Sequence, residues 1–200
     1  MMLTEATAVP GSALPVQAMK DHLRLGTGFA DDGMQDGLIE AHLRAAIAAI
    51  EGRTGKALLA RRFTLRLAQW REKQGAQALP MAPVSTVISV TLFDASETPT
   101  VMAPALYRLV PDMQRPRLMA VGRSLPTIAE GGAVELVFDA GFGTDWGAVP
   151  ADLAQAVLLL AAEFYELRHD GGQGGHALPL AVQALIERWR TVRTLGGSGA

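Results

Sequence analysis

The chain opens without periodicity and then changes period three times. Residues 1–14 mix Thr, Ala, Gly, Ser and Pro and read as a loose tail. After Pro15, Val16, Met19 and Leu23 recur at helical spacing while Lys20, Asp21 and Arg24 face away. Gly26 and Gly28 end that helix, and Asp31, Asp32 and Asp36 offer caps for the next. Leu38, Ile39, Leu43, Ala46, Ile47 and Ile50 form the clearest apolar stripe, with Glu40, Arg44, Glu51 and Arg53 expected on the opposite face. Gly55 fits a left-handed C-cap, with Lys56 near the negative helix end.

From Arg62 the alternation is strand-like: Phe63, Leu65 and Leu67 against Thr64 and Arg66. Val84–Phe93, Tyr107–Val110, Arg117–Val121 and Ala133–Phe138 read as further strands, punctuated by Pro80, Pro83, Pro99, Pro104, Pro116 and Gly131–Gly132. Helix returns after Pro150, with Leu153, Ala156, Val157, Leu160 and Phe164 on one face and Leu158 and Leu159 widening it. His169–Gly175 breaks the pattern, and Val182, Leu185, Ile186 and Trp189 mark a last amphipathic helix after Pro179.

The expected fold is α+β. It is mainly a helical bundle, with two N-terminal and two C-terminal helices and an inserted small antiparallel β module. The expected organisation is a tail at 1–14 and a helical domain at 15–168 with its β insertion at about 62–140. A hinge at 169–177, a C-terminal helix at 178–195 and a tail at 196–200 follow.

Composition narrows the function classes. Hydrophobic residues make up 49% and charged ones 19%, which excludes wholesale disorder and is consistent with apolar surface buried between subunits. The net charge of −2 argues against a protein that grips nucleic acid through its phosphates. With no cysteine there is no disulfide, no thiolate nucleophile and no Cys-based zinc site. No signal segment is expected at Met1–Leu14, and the apolar run Ala156–Ala162 is too short to span a bilayer, so no membrane partner is expected.

No motif carries catalysis. Gly52-Arg53-Thr54-Gly55-Lys56 has two residues between its glycines where a phosphate loop needs four, Ala57 follows the lysine, and the run ends a helix. Gly141-Phe142-Gly143 places its next glycine, Gly147, one residue too late for a dinucleotide fingerprint and reads as a turn. His22, His42, His169 and His176 show no metal-ligand spacing, and no serine sits in a Gly-x-Ser-x-Gly elbow. No catalytic, cofactor-binding or metal-ligating residue is assigned, and no cofactor is expected. Arginines cluster at Arg61–Arg62, at Arg115, Arg117 and Arg123, and at Arg188, Arg190 and Arg193. They are read as solvated faces or as contacts to an acidic partner or to DNA in a channel.

Several short signatures, taken in order, form a family pattern. They begin with Pro15-Val16, Lys20, Leu23-Arg24 and Asp31-Asp32, then Glu51 and Thr54-Gly55-Lys56-Ala57-Leu58. Leu79-Pro80, Pro83-Val84, Val87, Val90 and Tyr107 continue it. Val134–Gly143 (VELVFDAGFG) follows, with Val149-Pro150, Leu153 and Ala156, then Tyr165-Glu166, Arg168, Leu178-Pro179, Leu185 and Arg190. From Pro15 to Val192 the chain resembles the head-tail connector (adaptor) family of long-tailed phages, and within it the adaptors of the gene transfer agents of alphaproteobacteria. It departs at Phe142, where Tyr is commoner, at Arg62, where glutamine is frequent, and in a longer glycine loop before Leu178.

The resemblance implies a structural protein of the head-tail junction of a virion or particle, assembled in the host cytoplasm. It implies a homo-oligomeric ring of about a dozen copies. The ring docks on the portal protein, meets a stopper or next neck protein, and lets DNA pass its channel without specific binding. Portal-binding candidates are Leu178, Pro179, Leu185, Ile186, Trp189, Arg190 and Arg193; ring-interface candidates are Leu158, Leu159, Arg61 and Arg62. The competing reading from the residues is a small nucleotide- or DNA-binding protein.

Overall fold

A computed structural model of the protein describes residues 1–24, 35–71, 75–167 and 178–190. The helices are α1 (Val16–His22), α2 (Asp36–Thr54), α3 (Ala151–Glu166) and α4 (Leu180–Ile186). The strands are β1 (Met2–Glu5), β2 (Arg61–Leu67), β3 (Ala76–Ala78), β4 (Val84–Phe93), β5 (Pro99–Val101), β6 (Tyr107–Val110), β7 (Arg117–Ala120) and β8 (Ala133–Ala140). The class is α+β, with two antiparallel sheets.

The larger sheet has the order β1-β2-β8-β4-β5 and the smaller β3-β7-β6. In β2 and β8 every second residue is buried, so Phe63, Leu65, Leu67, Val134, Leu136 and Phe138 form one face of a β core. Phe63 and Phe138 sit opposite each other and stack at 5.7 Å. The small sheet closes this core with Tyr107 and Leu118.

A second core belongs to the helices. Ile39, Leu43, Ala46, Ile47 and Ile50 of α2 meet Leu153, Ala156, Val157 and Leu160 of α3. Pro150 precedes α3, where its missing N–H costs nothing. Gly55 ends α2 at φ 66°, the left-handed conformation its position predicts. The two cores meet along Ala57–Ala60 and the Gly141–Gly143 turn. A β-carbon on Gly141 would stand 2.4 Å from the Ala60 backbone, and its φ of 138° is one that other residues rarely adopt. Ala60 N–H donates to the Gly143 carbonyl at 2.7 Å, which binds the turn to the α2–β2 connection.

The structure differs from expectation in the share of β. The first fourteen residues hold β1 and a one-turn 3-10 helix at Gly11–Ala13. Met2, Leu3, Thr4 and Glu5 pair in register with Arg66, Leu65, Thr64 and Phe63. With its own core and strands from residue 2 onward, the β part is more than a small insertion in a mainly helical protein. β1 and β5 carry no apolar period because backbone pairing at a sheet margin, rather than a buried face, holds them, and β3 is three residues long with a buried polar residue, Gln77, at its centre. Residues 25–34 and 168–177, which include Asp31, Asp32 and the expected hinge, lie outside the described residues, as does 191–200.

Candidate functional site

The C-terminal segment is the first candidate surface. In α4, Val182 and Ile186 are one turn apart, and Trp189 follows in a 3-10 turn at Glu187–Trp189. All three are buried in the helical core, as is Leu178, and α4 packs on α3. The sequence leaves open whether core or partner covers this apolar face; within the subunit it is the protein's own core. Leu185 and Pro179 are half-buried, and Arg190 is exposed beside Glu187 at 3.0 Å. Arg193 lies outside the described residues. The residue that sequence reading passed over is Leu180, 83% exposed next to Pro179. Its signal is its place on the helix, off the Val182–Ile186–Trp189 stripe.

Trp189 anchors the segment. Its indole N–H donates to Asp152 Oδ2 at 2.7 Å, and its ring meets Phe142 edge-on at 5.5 Å. The Arg188 guanidinium lies 4.7 Å from the Trp189 ring centroid and pairs with the same Asp152 oxygen at 2.7 Å. Burial of Asp152 disfavours its charge. The Trp189 indole, the Leu153 amide and Arg188 outweigh that and hold the carboxyl below the usual range. At the other end of α3, a groove of about 320 Å³ runs between Ala49 and Arg53 of α2 and Leu160, Phe164, Leu178 and Pro179.

The ring-interface candidates separate. Leu158 and Leu159 are half-buried at the edge of the helical core. Arg62 keeps partial exposure and forms a two-point contact with Asp139, at 2.8 and 3.0 Å. Arg61 is buried inside the subunit. It donates to Glu51 at 2.5 and 3.0 Å and to Glu5 at 2.7 Å, tying β1, α2 and β2 together. Glu51, expected on an exposed helix face, is therefore buried too, and also accepts from the Leu58 amide at 2.7 Å.

Lys56 is fully buried at the α2 C-terminus and donates to Gln114 Oε1 at 2.9 Å and the Thr54 carbonyl at 3.3 Å. Burial pushes its ammonium below the usual lysine value, against the opposing pull of Asp112. It is a lysine walled into a helix end rather than one reaching for a phosphate. Gly141–Gly143 likewise forms a turn against Ala60. His169 and His176 lie outside the described residues, and among those described no three His, Cys, Asp or Glu converge on a metal position. No helix of the described residues is long and apolar enough to cross a membrane.

No family model and no curated protein matches the chain. Solved structures do. A chain in the neck of an empty gene transfer agent (GTA) particle, computed with C6 symmetry, is 61% identical at a TM-score of 0.89, with 100% of both chains covered. A chain in the virion of the native gene transfer agent particle is 60% identical at 0.86, with 98% of this chain and 99% of that one covered. A chain in the neck of the native particle, computed with C12 symmetry, is 55% identical at 0.84, with 100% of both covered. Identity of this order over whole chains, on a fold whose site residues build cores and ion pairs, makes the protein a structural component rather than an enzyme. It belongs to the head-tail connector proteins that form the neck of gene transfer agent particles.

Proposed function

We propose that copies of this chain form a ring in the neck, between the portal and the next neck protein, around a channel for DNA. The observation that carries the reading is the full-length likeness to a neck chain computed with C12 symmetry. Cyclic symmetry of that kind requires each copy to offer two different faces to its neighbours. Leu158 and Leu159 at the edge of α3, with Arg62 on the sheet, are candidates for such faces. The net charge of −2 supports a channel that lets DNA slide, since each neutralised phosphate adds affinity.

The portal contact is assigned to the outer side of the C-terminal segment. Ile186 and Trp189 anchor that segment to the subunit, which leaves Pro179, Leu180 and Arg190 to meet the portal; Arg193, outside the described residues, stays a candidate from the sequence. Arginine is among the residues that binding surfaces favour over lysine and glutamate, and an exposed leucine adds apolar surface for a partner to cover. Deleting the gene tests the whole reading. Filled heads without tails are expected, together with loss of ring density at the junction when particles are imaged. Tailed, DNA-transferring particles from the deletion strain would overturn it.

A further inference from the structure

The three strands of the small sheet carry Arg108 and Arg117 and no carboxylate. Cross-strand register puts these side chains on one face: Arg108 opposes Met119, and Val110 opposes Arg117. The opposite face, with Tyr107 and Leu118, is the one buried in the β core. Both arginines are exposed. Asp112, in the β6–β7 turn, accepts from the amides of Gln114 and Arg115 at 2.6 and 2.7 Å and also attracts Arg117. Exposed apolar side chains lie on the segments flanking β6 and β7: Leu106 at 50% exposure, Met113 at 47% and Val121 at 60%. Leu106 and Val121 are neighbours, joined by a backbone hydrogen bond of 3.0 Å. Arginine and methionine are among the residues that protein interfaces favour over lysine and glutamate. Arg115 and Arg123, on the segments flanking β7, are exposed as well, so the surface is basic; its exposed aliphatic side chains set it apart from one that only grips phosphates.

The same chain carries the complementary surface. The β4–β5 turn carries Glu97 and Asp94, whose Oδ1 accepts from the Ser96 and Thr98 amides at 2.8 and 2.9 Å, and the turn before β8 carries Glu130 beside it, with Gly131 packed against Ala95. All three acids are exposed, and Arg66 pairs with Glu97 at 2.5 Å. Val101, 69% exposed, lies on the same sheet face as Thr91 and Glu135, because each pairs with the next across β5, β4 and β8. An acidic end with an exposed valine thus matches a basic face with exposed aliphatics, on a protein whose overall charge is close to balanced.

We propose that the outward face of the three-stranded sheet of one copy packs against the acidic end of the five-stranded sheet of the next, an inference that rests on the ring reading above. The contact is heterologous, so it propagates from copy to copy until the ring closes.

The chain has no cysteine of its own, so a pair of introduced ones gives a clean test. Particles carrying Arg117→Cys together with Glu130→Cys, treated with a bismaleimide, are expected to yield a ladder of cross-linked multimers on a denaturing gel. Either single variant yields none. Normal amounts of the protein in the particles without a ladder would overturn this contact while leaving the ring standing. Absence of the unaltered protein from the neck would instead sink the ring reading itself. In parallel, Arg108→Glu with Arg117→Glu is expected to lower incorporation at least about tenfold, as like charges meet across an interface. Adding Glu97→Arg with Glu130→Arg restores it. Reversal that spares incorporation but impairs DNA transfer, with no rescue by the partner swap, would assign the face to DNA and overturn the proposal.

Discussion

The indole N–H of Trp189 donates to Asp152 Oδ2 at 2.7 Å, which joins the last described turn of the chain to the first turn of α3. Trp189→Ala should therefore unsettle the subunit itself. Truncating a buried tryptophan costs about 3–5 kcal/mol, and thermal melts should report a loss of that order. Trp189→Phe keeps most of the apolar burial but gives up the hydrogen bond, at about 1–2 kcal/mol. A chain ending at Gly175 would lose Val182, Ile186 and Trp189 together, and its melt should lose cooperativity. An unchanged melt would show that the subunit folds without this helix.

Asp152 also makes stability depend on acid. Its carboxyl is held below the usual range in the folded protein, so the unfolded chain binds more protons as pH falls. The stabilisation is complete above the ordinary carboxylate value of about 3.9 and disappears as pH drops through the folded value. Asp152→Asn should melt earlier at pH 7 and show a shallower fall in Tm below about pH 4. Parallel acid limbs for the two proteins would remove Asp152 from the account.

Glu51 and Arg61 form a buried pair, and breaking it from one side is the expensive change. Glu51→Leu leaves the Arg61 guanidinium buried with Glu5, itself half-exposed, as its remaining carboxylate, and should cost about 3–5 kcal/mol. Replacing both, as Glu51→Leu with Arg61→Met, should recover much of that loss. A double-mutant cycle read by denaturant melts measures the coupling. Additive losses would mean that the two side chains act independently.

Lys56 differs from the Glu51–Arg61 pair in that removing its charge relieves a cost. Burial lowers its pKa, so its cost is present at neutral pH and is relieved as pH rises toward the ordinary lysine value of about 10.4. Lys56→Met fills the same space without a charge, and its Tm at pH 7 should equal or exceed that of the parent. A clear drop would show that the bond to Gln114 outweighs the burial.

Much of this was legible in the sequence where a side-chain period existed. The alternation of Phe63, Leu65 and Leu67 became the buried face of β2, and the Ile39–Ile50 stripe became the buried face of α2. Gly55 became the left-handed cap expected of it. Where pairing depends on a distant partner, the pattern was silent. β1 is held by β2, some sixty residues later in the chain. Glu51 looks like a surface charge on its helix, because its burial depends on Arg61 folding back past the Gly55 turn. The apolar face of α4 was visible, but its cover was not, since the polar half of that contact is a lone aspartate at the start of α3. Leu180 escaped because one exposed leucine has no periodic partner.

The helical core is assembled from both ends of the chain, with every strand from β2 to β8 between α2 and α3. During synthesis α2 therefore leaves the ribosome long before the helices that cover it. Ile39, Leu43 and Ile50 must wait, uncovered, until the β half has formed and the Gly141 turn has brought α3 back across Ala60. Nascent chains stalled before Ala151 should accordingly be the species that holdase chaperones capture, and release should coincide with the emergence of Trp189.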